Sequence, residues 1–183
     1  LGLRDEANRI LQRDGGRMNA DGAAATYLPA GHVDGFADTF FALFAQVYGD
    51  VAAGDFTLEV GAPFEFVWRN DELTEDPGKR PENFSEEERM TSRIIELDPP
   101  HKLTIGWGAE GEVTMLLAPI GNRVLLTVIH KRLPDRKTML NVAAGWHTHL
   151  DMLVEVAGDA APTQPFWDTW RRLKDDYDRL LPA

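Results

Sequence analysis

Cysteine is absent from all 183 residues. Its absence excludes disulfide cross-links, thiolate nucleophiles and cysteine-based metal sites together, and it is compatible with a cytoplasmic location. Long apolar runs are missing too. No stretch approaches the ~18 residues that a bilayer-spanning helix requires, and no basic segment followed by an apolar core opens the chain as a secretory signal would. Positive charge is scarce: 19 Lys and Arg stand against 30 Asp and Glu, a formal −11. Such a surface repels phosphate backbones and anionic headgroups, so neither nucleic acid nor membrane is an expected partner. What is present is ordinary for a globular protein, 43% apolar and 27% charged residues, enough to bury one core without staples.

Residues 1–24 read as an N-terminal extension or linker, and 25–183 as a single domain. Leu3, Ala7, Ile10 and Leu11 lie at helical spacing ahead of Gly15-Gly16, and 19–25 is small and polar. A short strand is expected over 25–30, closed by Pro29. A helix is expected over 33–51, carrying Phe36, Phe40, Phe41, Phe44, Val47 and Tyr48. Period-2 alternation then starts: Phe56, Leu58 and Val60, then Phe64, Phe66 and Trp68. Further strands are expected over 89–97, 101–107, 112–118 and 123–132, with turns at Asp98-Pro99-Pro100, Gly108 and Gly121-Asn122. Short turns between consecutive strands imply an antiparallel meander.

Two helices close the chain. Met139, Ala143, Trp146, Leu150, Leu153 and Ala157 form one apolar stripe over 136–157, ended by Gly158. Pro165 opens a second helix with the stripe Phe166, Trp170, Leu173, Tyr177 and Leu180. Between the strands, 70–88 carries eight acids (Asp71, Glu72, Glu75, Asp76, Glu82, Glu86, Glu87, Glu88) against Lys79 and Arg80. That composition predicts a solvated, mobile insertion.

The alternation assigns Phe56, Leu58, Phe64, Phe66, Trp68, Leu103, Ile105, Trp107, Val113, Met115, Leu117, Val124, Leu126, Val128 and His130 to one face of the sheet. So much apolar bulk must be covered, and the stripe over 139–157 is the long cover available. Val67, Ile95, Leu116, Leu125 and Ile129 fall on the other face, where the last helix or a second copy of the chain in a homodimer could meet them. The candidate ligand cavity, between sheet and helix, is lined by Phe64, Phe66, Trp68, Ile105, Trp107, Met115, Leu126, Val128, His130, Trp146, His149 and Leu150.

The run Gly145-Trp146-His147-Thr148-His149-Leu150-Asp151 with Leu153 resembles the signature of the heat-shock protein 90 ATPase activator homologue-like branch of the START/SRPBCC superfamily. Gly54-Asp55, Val60-Gly61, Phe64-Glu65-Phe66, Leu97-Asp98-Pro99-Pro100 with Leu103, and Trp107-Gly108 follow in the family's order and spacing. Pro165-Phe166-Trp167 with Leu173, Tyr177 and Leu180-Leu181 is similar to a subset of bacterial members. The resemblance implies an α+β helix-grip fold: a curved antiparallel sheet, two short helices between its first two strands, and a long C-terminal helix across the concave side. Residues 33–53 depart from the pattern by lacking the two tryptophans that shape one end of the family's cavity.

Catalytic chemistry is not readable from the sequence. His147 and His149 point about 200° apart on a helix, so one ion cannot take both, and no metal or other cofactor is expected. His147 and Asp151, at i and i+4, can pair, but no Ser or Cys nucleophile accompanies them. His130 could hydrogen-bond a polar ligand group, or be a half-solvated strand-end side chain. Three functions follow. The leading one is non-catalytic binding of a small apolar or amphipathic molecule. The second, implied by the resemblance, is co-chaperone-like stimulation of the heat-shock protein 90 ATPase. The third is a cyclase- or hydrolase-type activity of the superfamily.

Overall fold

A computed structural model of the chain describes residues 22–29 and 58–181. The expected helices over 3–11 and 33–51, and Phe56, lie outside the described residues. Six strands form one antiparallel sheet: β1 (Ala23–Pro29), β2 (Pro63–Trp68), β3 (Glu88–Asp98), β4 (Lys102–Trp107), β5 (Gly111–Ile120) and β6 (Arg123–Lys131), followed by helices α1 (Arg136–Ala157) and α2 (Phe166–Leu180). Strands β2 to β6 are laid down as neighbours in chain order. The first strand then closes the far edge against the last, giving β1-β6-β5-β4-β3-β2. Gly22 permits that closure. It lies at φ +77, and a Cβ there would stand 2.1 Å from the His130 carbonyl oxygen, while its own carbonyl accepts the His130 N–H at 2.8 Å.

The expected inner face holds wherever it is described. Phe64, Phe66, Leu103, Ile105, Val113, Met115, Leu117, Val124, Leu126 and Val128 join one buried core with α1 and α2, and Leu58, Trp68 and Trp107 pack against it. Three expectations change. Residues 58–60 are a turn rather than the end of a strand, and Val60 is 63% exposed. Strand β1 begins at Ala23, inside the segment read as linker. In β3 the register shifts between Ile94 and Glu96, so a period-2 reading fails there: Ile94 is buried and Leu97 still packs on the core. On the outer face Val67, Leu116 and Leu125 are buried by the chain itself rather than left for a partner.

Helix α1 has the predicted bounds. The Asp135 carboxylate caps it by accepting the Thr138 N–H at 2.7 Å, and this bond holds the Asp135 carboxyl below its ordinary range. Over 22 residues, roughly 33 Å, it crosses the concave side. Its buried set is wider than one stripe. Leu140, Ala144, Thr148, His149 and Met152 are buried, whereas Met139 and Ala157 are only half-buried, because α2 covers the flank that the sheet does not. Gly145 marks the close approach of the two helices, 4.0 Å from a built Cβ to Trp170 Nε1. Arg136 ties the start of α1 to the end of α2 through the Asp178 and Leu181 carbonyls. Leu180, expected in the α2 stripe, is 60% exposed, and Trp167, left out of it, is 1% exposed.

The acidic insertion is docked on α2. A short 3₁₀ turn at Asn70–Glu72 leads it in. Trp167 Nε1 donates to Asp71 at 2.6 Å, the Trp167 N–H donates to the Pro77 carbonyl, and Phe84 sits against Trp167 and Trp170 at 5.1 and 5.2 Å. Arg80 pairs with Asp71 at 3.0 Å and with Glu86. A charged composition did not prevent burial here, because Leu73 and Phe84 supply apolar contact with the core.

Candidate ligand-binding cavity

Two groups of rings face each other. The first stands on the sheet and the middle of α1. Phe66 stacks on Trp68 at 5.4 Å, Trp68 lies 5.5 Å from Trp107, and Trp107 lies 5.9 Å from Trp146. The second belongs to α2 and the insertion: Phe166 with Trp167 at 4.9 Å, Trp167 with Trp170 at 6.0 Å, and Phe84 across both. Between them lies a cavity of about 460 Å³, within the size range of small-molecule sites. Trp68, Trp107, Trp146, Trp167 and Trp170 all line it, and the chain has five tryptophans. Every tryptophan of the protein therefore faces one space.

Polar groups punctuate the wall: Asn70, Asn83, Glu88, Asn141 and His149. His149 is buried, and burial pushes its imidazole down to about 4, so the ring is neutral near pH 7. Its Nδ1–H donates to the Gly145 carbonyl at 2.7 Å. A neutral ring then offers Nε2 as an acceptor, 3.2 Å from Asn70 Oδ1, a contact that becomes a hydrogen bond when the Asn70 amide is turned to present its NH₂ group. His130, expected either to contact a ligand or to be a half-solvated strand end, is 2% exposed. Trp146 Nε1–H can only donate, so His130 Nδ1 accepts at 3.2 Å and the ring proton sits on Nε2, which has no partner. Burial lowers this imidazole to about 4 as well.

Of the twelve residues expected to line a cavity, Trp68, Trp107, Trp146 and His149 do so. Phe64, Phe66, Ile105, Met115, Leu126, Val128 and Leu150 are packed into the core instead, and His130 lies behind Trp107 and Trp146. The other wall was missed because it comes from the insertion and α2. Its one sequence signal is Phe84, a lone aromatic in a run of charge. His147 faces away, its Nδ1 3.1 Å from the Tyr177 hydroxyl and its Nε2 3.5 Å from Asp151, as the i, i+4 spacing implied. Among the described residues no group of three His, Asp or Glu could hold a metal ion, and no helix is long and apolar enough to cross a membrane. A second cleft, about 630 Å³ on the outer face of β3 to β5, is open, with Pro63 and Ile95 beside Arg93, Glu112 and Arg132 in its lining. Its Arg132 is already engaged by Glu112 and by the Glu110 carbonyl.

Comparison with known proteins agrees with this architecture. The solution structure of a Bordetella parapertussis protein is 29% identical with a TM-score of 0.67, over 88% of this chain and 86% of that one. The crystal structure of CalU16 from Micromonospora echinospora is 16% identical with a TM-score of 0.58, over 88% of each chain. DynU16, a protein of the dynemicin biosynthetic locus, is 15% identical with a TM-score of 0.52, over 76% of this chain and 48% of that one. No curated protein matches the chain. The family model described as Activator of Hsp90 ATPase homolog 1-like protein matches residues 42–158. With its antiparallel sheet gripping α1, the chain belongs to that family, within the helix-grip START/SRPBCC superfamily.

Proposed function

We propose that the chain is a non-catalytic binding domain for a small apolar or amphipathic molecule, working in the cytoplasm. The observation that carries this reading is the convergence of all five tryptophans on one cavity of about 460 Å³. A core alone does not need that arrangement, because aromatic rings usually fill space rather than surround it. Neutral His149 and the asparagine amides supply the few polar groups that orient a ligand in an otherwise apolar site. The cysteine-free composition supports the assigned compartment. His147, His149 and His130 hydrogen-bond to Tyr177, Gly145 and Trp146, contacts that hold the rings in the packing around the cavity.

An apolar fluorescent dye titrated into the full chain is the test. Saturable binding in the micromolar range is expected. Val142→Phe, which adds bulk to the cavity from α1, should weaken it by at least about ten-fold while leaving the unfolding midpoint near the parent's. Dye binding that Val142→Phe does not change would place the ligand elsewhere.

A further inference from the structure

The charge of the wall carries the binding reading one step further. Among the described residues Glu88 is the one carboxylate in the lining, which includes no Lys or Arg and whose His149 is neutral. The arginines around it are spent on other acids: Arg69 on Glu87, Arg80 on Asp71 and Glu86, Arg89 on Glu65 and Glu87. Glu88 accepts only the Ser85 backbone N–H at 2.9 Å, so among the described residues it has no cationic partner. Carboxylates at the edge of an apolar space are ordinarily paired, because an unpaired one loses hydration without compensation. The amide oxygen of Asn141, on the same wall, is buried without a donor. Ring faces line the same space, and they attract cations through the quadrupole of the aromatic ring. Lys174 uses Trp170 in this way, its Nζ 5.0 Å from the ring centroid, and Trp68, Trp107, Trp146 and Phe84 present further rings to the same space.

We infer that the cavity takes an organic cation: a quaternary or protonated amine on an apolar or flat body, caged by these rings with Glu88 as its counter-ion. The inference rests on the binding reading above and adds the sign of the ligand's charge. The net charge of −11 and the acidic insertion that forms the rim draw cations to the same place. A donor on the ligand would also satisfy Asn141 after a turn of its amide.

The test uses three probes of one shape on the full chain, measured by calorimetry: benzyltrimethylammonium, its neutral carbon isostere neopentylbenzene, and phenylmethanesulfonate. The ammonium should bind at least about ten-fold more tightly than the isostere, and the sulfonate most weakly. Glu88→Gln keeps an oxygen for the Ser85 N–H. It should bring the ammonium to within about three-fold of the isostere and leave the isostere's affinity unchanged, which also shows that the variant is folded. An isostere that binds as tightly as the ammonium, or an ammonium affinity indifferent to Glu88→Gln, overturns the cation assignment while the apolar cavity stands. Failure of all three probes overturns both.

Discussion

The Trp146 indole donates to His130 Nδ1 at 3.2 Å, joining the middle of α1 to the last residues of β6 inside the core. The bond fixes the imidazole tautomer and aligns the wall made by Trp107 and Trp146. Trp146→Phe keeps a ring in place but removes the donor, leaving both imidazole nitrogens of a buried residue unsatisfied. A loss of about 1–3 kcal/mol in unfolding free energy is expected in denaturant melts. A variant as stable as the parent would show that the bond contributes nothing.

Acid should destabilise the fold through the same layer. His130 and His149 are held near 4 in the folded chain against an ordinary 6.5, in each case because burial disfavours the charged ring. On acidification the unfolded chain takes these protons first. The contribution is therefore complete above about pH 6.5, is lost as pH falls towards 4, and changes no further below that. Each histidine accounts for up to about 3 kcal/mol of the loss. Unfolding free energies measured at pH 7 and pH 4.5 should differ less for His149→Gln than for the parent. Equal differences would contradict the assignment.

The docked insertion predicts a change in proteolysis. Trp167→Phe deletes the bond to Asp71 and loosens the segment that carries Lys79. Trypsin should then cut after Lys79 several-fold faster, by more than the loss of global stability at this buried residue accounts for. Equal cleavage rates in the two proteins would mean that the indole–carboxylate bond does not hold the loop.

Stimulation of a heat-shock protein 90 ATPase is the reading that the family's description invites. A basic partner would meet the acidic insertion, which carries eight acids against Lys79 and Arg80. Here Asp71, Glu86 and Glu87 are already paired with Arg80, Arg69 and Arg89. Adding the purified chain to the host's chaperone should leave ATP turnover unchanged. A clear, salt-sensitive acceleration that fades with charge reversal at Glu86 and Glu87 would make the cavity secondary.

Local periodicity made much of this molecule legible. Strands with unbroken alternation, such as β2, β4 and β6, show their inward residues directly, and α1 stops where Gly158 announces its end. What stayed hidden depends on contacts distant in sequence or on breaks in period. Nothing local tells β1 to pair with β6, and the shift at Ile94/Glu96 resets the alternation within β3. The cavity was expected wholly beneath α1. Its other wall comes from Phe84, Phe166, Trp167 and Trp170, whose inward aim depends on how α2 and the insertion meet. Acidic composition concealed that meeting, because two apolar side chains, Leu73 and Phe84, anchor a segment of mostly charged ones.

The indole N–H signals of the five tryptophans test the central claim most directly, since all five side chains line the proposed site. In a nitrogen-15 spectrum of the full chain titrated with an apolar dye, the signals of Trp68, Trp107, Trp146 and Trp170 should shift together along one saturable curve, and Val142→Phe should move that curve to at least about ten-fold higher dye concentration. Dye binding at the same affinity with all five indole signals unmoved would contradict a ligand in this cavity.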